Sequence, residues 1–276
     1  MTLPKLTKKY KYLILSVVTV GLLFWFSYAP SHGIQRELSA IITFLVGIVG
    51  TLWCQYSSEF IKEAEVKAFI LETILSVIVL PVVLGIGAIL SLFYFPNLGL
   101  PTKIAAIGGV GLVMYITQLV TNIFLVVYDK KEQIPLFRVA STWSQILVIT
   151  IAIPFYAGIF KLPLIAPYQS LIVGVTAALF ALFLSWSMRM DTDVTGLDRG
   201  EVLFNVLLVG FIIFASSISV SFFPSESFLR SLFVSSTLMF ALGYMGAHYK
   251  NAITKKLVFE YLLIVLAFLS LLLIFN

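Results

Sequence analysis

The chain has 276 residues, of which 60% are hydrophobic and only 11% charged, and its mean hydropathy is +1.06. Soluble domains carry about 25% charge, so a water-soluble fold and a disordered chain are both excluded and the solvent has to be lipid. The net charge of +5 does not indicate nucleic acid, because the basic residues collect at the ends of apolar runs, where membrane topology accounts for them.

A helix that crosses a hydrocarbon core of about 30 Å needs about 20 apolar residues. Runs of that kind cover residues 12–29, 38–57, 68–95, 102–128, 136–160, 168–188, 201–223, 225–248 and 257–275. The first is preceded by basic residues, and Ser27, Tyr28 and Ala29 would suit a signal cleavage site. Its apolar run exceeds the roughly 7 to 15 residues of a signal peptide, so it is read as a span. The links are short and marked by Pro30, Pro96, Pro101, Pro135, Pro163, Pro167 and Pro224, where helices end. The expectation is an all-α polytopic transmembrane helix bundle of about nine spans, a single integral membrane domain over residues 1–276.

Nine spans put the termini on opposite sides. Lys5, Lys8, Lys9, Lys11, Lys62, Lys67, Lys130, Lys131, Arg138, Arg189, Arg199, Lys250, Lys255 and Lys256 fall on one side, against Arg36, Lys103, Lys161 and Arg230 on the other. The positive-inside rule makes the crowded side, with the N-terminus, cytoplasmic and the C-terminus external, in a cytoplasmic membrane. Trp53, Trp143, Trp186, Tyr128 and Tyr249 are expected in the inner aromatic belt, and Trp25, Tyr28, Tyr94 and Tyr168 in the outer one.

The third and fifth spans share a spacing. Glu72, Pro81 and Gly85 match Gln145, Pro154 and Gly158, which suggests a hairpin repeat over 68–129 and 136–191, with helix kinks at Pro81 and Pro154. Repeats of this sort build many transporters.

Ionisable groups inside spans are the default functional candidates in a membrane protein; here they are Glu72 and Glu260. Each is four or five residues from Lys67 or from Lys255 and Lys256, so pairing at the headgroups is the simpler reading. Gln118 and Asn122 lie one turn apart on one helix face, with Thr121 beside them. With Glu72, Gln145, Ser141, Ser144 and Asn205 they form a candidate polar cavity in the cytoplasmic half, or they hydrogen-bond between helices as packing contacts. Gly47, Gly50, Gly108, Gly109, Gly111, Gly243 and Gly246 mark small faces for close helix approach, within the chain or with a partner.

The most acidic link runs from Asp191 to Glu201. Asp191, Asp193, Thr195 and Gly196 are similar to the opening of a calcium-binding EF-hand loop, but Val202 stands where that loop needs a bidentate glutamate. Asp198 and its neighbours are expected to cap the next helix and stay hydrated. Asp129 with Glu132, and Asp191 to Asp198, resemble the paired acidic motifs of the intramembrane prenyltransferases, which have nine helices and hold magnesium diphosphate between those motifs. That resemblance implies a lipid-modifying enzyme, although the spacing differs and the first cluster follows the fourth span instead of the second. His32 and His248 fall on opposite sides, in no serine or cysteine constellation, and His248 is expected to be interfacial. The lone cysteine, Cys54, cannot form an intrachain disulfide, and no catalytic constellation, metal site or cofactor is expected.

The function indicated first is therefore a non-catalytic membrane component that contacts membrane lipids and packs with protein partners or with copies of itself. A transporter of a small solute or lipid comes second and a prenyltransferase-like membrane enzyme third.

Overall fold

The computed structural model describes residues 7–28, 34–55, 67–94, 99–130, 135–194 and 196–275. Among them the regular secondary structure is helical: α1 (Lys8–Tyr28), α2 (Ile34–Gln55), α3 (Lys67–Tyr94), α4 (Leu100–Lys130), α5 (Leu136–Ile159), α6 (Ala166–Met188), α7 (Arg199–Ser221), α8 (Ser227–Tyr249) and α9 (Lys255–Ile274). All nine are long and apolar enough to cross a membrane, in register with the nine apolar runs, as a multi-pass membrane protein requires. Lys5, Pro30, His32, Lys62, Pro96, Lys131, Glu132 and Thr195 lie outside the described residues, as do the side chains of Arg36, Lys67, Asp129 and Lys130.

Local chemistry sets the helix ends. Asp198 caps α7 as expected, its carboxylate accepting the Gly200 amide at 3.1 Å, and Thr254 caps α9 by accepting from the Leu257 amide at 3.2 Å. Gly196, at φ +65°, supplies the left-handed turn before α7. Pro81 and Pro154 sit inside α3 and α5, which continue through them, although each ring removes the amide that would meet the carbonyl four residues earlier.

The helices divide into two compact units, Met1–Lys130 and Lys131–Asn276. In the first, α1 packs on α2, α2 on α3, α3 on α4 and α4 back on α1. Lys8 meets Asn122, Ser16 meets the Gly111 carbonyl, and Lys103 lies 5.3 Å from the Tyr28 ring centre, so α1 and α4 run antiparallel along their shared length. Gly47 faces Val82, and Gly85 faces Thr43, which makes α2 and α3 antiparallel too. Toward the Tyr28 end the interior is apolar, a cluster of Leu23, Phe26, Ala88, Leu92 and Ile107. Toward the Lys8 end it is polar.

In the second unit α5 to α8 pack in the same cyclic order and α9 lies against α8. The closest crossing joins α6 and α7. A Cβ added to Gly174 would stand 2.8 Å from Phe214 Cβ and 2.9 Å from the Gly210 carbonyl, and one on Gly210 would stand 3.0 Å from Ala178 Cβ. Close backbone approach of this kind adds dispersion contacts between the two helices, the sort of packing that joins helices in lipid. The first glycines singled out from the sequence did not include this pair. Tyr261 seats α9 over Gly243 of α8, its ring atoms 2.6 to 2.8 Å from where a Cβ would be, and Leu272 is the one residue of α9 classed as buried among the described residues.

Two of the expected belt residues are not at the surface. Trp186 is completely buried and Tyr249 is 4% exposed, because α6 and α8 meet at those ends. Trp53, Trp143, Trp25, Tyr28 and Tyr168 are exposed, as interfacial rings should be.

Candidate functional site

The first unit holds a polar layer built by three helices. Gln118 of α4 is completely buried. Its side-chain nitrogen donates to Thr51 Oγ1 at 2.9 Å, while Gln55 Nε2 donates to the Gln118 backbone carbonyl at 2.9 Å and to its Oε1 at 2.8 Å. Asn122, one turn nearer the helix end, accepts from Lys8 Nζ at 3.1 Å. Lys11 sits 5.1 Å from the Trp53 ring centre, and its backbone carbonyl accepts from the Cys54 thiol at 3.4 Å. The layer keeps two shielded oxygens without a hydrogen-bond partner, Tyr12 Oη and Gln55 Oε1, and Ser27 Oγ of α1 and Ser76 Oγ of α3 are others in the same unit.

The structure thus brings Gln118 and Asn122 onto one inner face, and it supplies partners, Gln55, Thr51 and Lys8, that the sequence had not joined to them. Glu72 is half-buried on α3 with Oε1 shielded from solvent; Lys67, its expected partner, has its side chain outside the described residues. Gln145 is half-buried on α5 and belongs to the second unit. Glu260 is exposed on α9, 3.8 Å from Lys256, the pairing with a lysine that its spacing suggested.

The second unit gathers charge where α6 and α8 end and α7 begins. Lys250 Nζ reaches Asp191 Oδ2 at 2.6 Å, and Asp191 Oδ1 accepts the Asp193 amide at 3.1 Å. The Asp191 side chain is only 9% exposed, so this carboxylate is not part of a hydrated loop as expected; α8 delivers a lysine to it across 59 residues of sequence. His248 Nε2 lies 3.2 Å from Glu201 Oε1 of α7, so the histidine at the end of α8 is an inter-helix contact. Behind it the Tyr249 and Ser185 hydroxyls are 3.2 Å apart, both buried. Met188 covers Gly246, where any side chain would displace it.

Chemically, this arrangement ties helices together. Both oxygens of Asp191 are engaged by donors of the chain itself, and among the described residues no three His, Cys, Asp or Glu side chains come close enough to share a metal ion. The outer surface of the same unit carries an apolar groove of about 260 Å³ over the α6/α7 crossing, floored by Gly174, Ala178 and Gly210 and walled by Leu171, Val175, Leu207 and Phe211. On α4 of the first unit, Gly108 and Gly109 have open space where a Cβ would be. No protein-family model, no curated protein and no solved structure matches the chain.

Proposed function

We propose that the chain is a non-catalytic component of the cytoplasmic membrane, with its N-terminus inside and its C-terminus outside, which works by packing its helices against partners. The observation that carries this reading is the state of Gln118: the most deeply placed amide of the candidate cavity is fully buried, with its nitrogen bonded to Thr51 and its oxygen to Gln55, so it serves as an inter-helix contact and not as a lining. Gly108 and Gly109, open on α4, supply a surface on which another helix can come close.

The test is the mass of the complex that contains the chain, measured after extraction from its own membrane into lipid nanodiscs without detergent exchange. The expected result is an assembly of defined stoichiometry larger than one chain, which Gly108→Leu with Gly109→Leu dissolves while the variant chain stays folded. A single chain of 30.7 kDa, unchanged by the substitutions, would overturn the proposal.

One observation favours transport as the second reading: Glu72 is a carboxylate set five residues inside α3 with one oxygen shielded from solvent. Under that reading Glu72→Gln abolishes coupled uptake and spares folding. The prenyltransferase-like reading has less support, since Lys250 and the Asp193 amide occupy the acidic group that would hold magnesium diphosphate.

A further inference from the structure

We propose that the first unit contains a buried binding site for a single water molecule, held between the Tyr12 hydroxyl of α1 and the side-chain carbonyl of Gln55 of α2, above the Gln118 amide. The inference is independent of the function proposed above.

The register places the groups in one layer. Lys8 of α1 bonds Asn122 of antiparallel α4, so one turn deeper along each helix Tyr12 comes level with Gln118, about 6 Å farther in. Gln55 bonds that same Gln118 twice. Tyr12 also lies beside Cys54, the residue before Gln55, closely enough for an electrostatic interaction. Tyr12 is 1% exposed and Gln55 6%, yet Tyr12 Oη and Gln55 Oε1 have no hydrogen-bond partner.

Turning the Gln55 amide over would not help. It would set Oε1 against the Gln118 carbonyl and Oε1, two acceptors where the nitrogen now makes two bonds. The two groups left over are complementary, a hydroxyl able to donate and a carbonyl able to accept, and they do not bond each other directly. Water satisfies both at once: it accepts from Tyr12 and donates to Gln55, and two partners are enough to hold a buried water. A metal cation is the poorer guest, because the Lys8 and Lys11 ammonium groups stand at the same end of α1 and the layer offers no anion of its own among Tyr12, Gln55 and Gln118.

The experiment is water-edited solid-state NMR on the full chain in lipid nanodiscs. Magnetisation is expected to pass from water to the Tyr12 and Gln55 side chains several-fold faster than to Leu23 or Ile107, which are equally buried at the apolar end of the unit. In Tyr12→Phe the transfer to Gln55 should fall to the Leu23 level, and the combined loss of melting temperature for Tyr12→Phe with Gln55→Leu should be smaller than the sum of the single losses. Transfer to neither residue in the wild-type chain would overturn the proposal, and so would coupled melting temperatures without transfer, which would mean a direct contact. A melting temperature that depends on sodium or potassium, against a bulky organic cation, would also overturn it by making the guest a metal ion. The wild-type measurement requires no variant, so a substitution that fails to fold leaves the test intact.

Discussion

Cutting the Lys250–Asp191 pair from each side should give unequal losses. The Asp191 side chain is 9% exposed and that of Lys250 is 33% exposed, with 2.6 Å between the charged atoms. Removing one partner of a fully buried pair costs about 3 to 5 kcal/mol, most of it the burden of the charge left behind. Lysine can turn its ammonium into solvent, so Asp191→Asn strands little, and about 1 kcal/mol is expected, the worth of a charge-assisted bond partly replaced by the amide. Lys250→Met takes the ammonium away from a carboxylate that stays buried and still accepts the Asp193 amide, and about 2 kcal/mol is expected after allowance for the exposed third of the lysine. The double substitution should cost less than the sum by about 1 kcal/mol. Unfolding in mixed micelles, followed by circular dichroism, measures all three. Equal losses below about 0.5 kcal/mol would refute the reasoning, since they would mean a hydrated pair.

Gly174→Leu should destabilise the second unit by about 1 to 3 kcal/mol, because the added atoms meet Phe214 and the Gly210 carbonyl, whereas Gly108→Leu should leave the folded chain unaffected; the same unfolding assay compares them. Gln118→Leu should cost about 1 to 2 kcal/mol by leaving the Gln55 amide and the Thr51 hydroxyl short of a partner, as the same unfolding assay would read. A reporter fused after Asn276 should read as external and one fused after Lys131 as cytoplasmic; a cytoplasmic C-terminus would remove the nine-span topology.

The elements were legible because crossing a membrane asks a length and a composition of a helix, and a run such as 257–275 meets both. Capping was legible for the same kind of reason: Asp198 and Thr254 act on amides two or three residues away, within reach of local sequence. Orientation of a face was legible too, since Gln118 and Asn122 at helical spacing had to share one. What the sequence withholds is the partner. Thr51 and Gln55 precede Gln118 by more than 60 residues, and Lys250 follows Asp191 by 59, and nothing in the local pattern joins them. For the same reason Trp186 read as interfacial, since its burial depends on a helix that arrives later in the chain.

The distribution of polar groups follows the cost of placing them. Neutral amides and hydroxyls can lie well inside a helix if another helix brings a partner, and Gln118, twelve residues before the end of α4, has two. Ionised groups cost far more in hydrocarbon, and these of the second unit stand at helix termini: Asp191 just beyond α6, Glu201 in the first turn of α7, His248 and Lys250 at the close of α8. Lys8 obeys the same limit as the first residue of α1, reaching Asn122 along its own stem. Glu260 lies deeper in its helix but stays exposed beside Lys256. Glu72 departs from this pattern by being partly withdrawn from solvent inside α3, the helix that also carries Pro81 and the buried Ser76 hydroxyl. A carboxylate there accepts at both oxygens and carries a charge that hydrocarbon makes expensive, whereas a glutamine keeps one accepting oxygen and adds a donor without the charge. The competition between the membrane component and the transporter therefore turns on whether Glu72 needs its charge, and Glu72→Gln asks that question without changing the shape of the site.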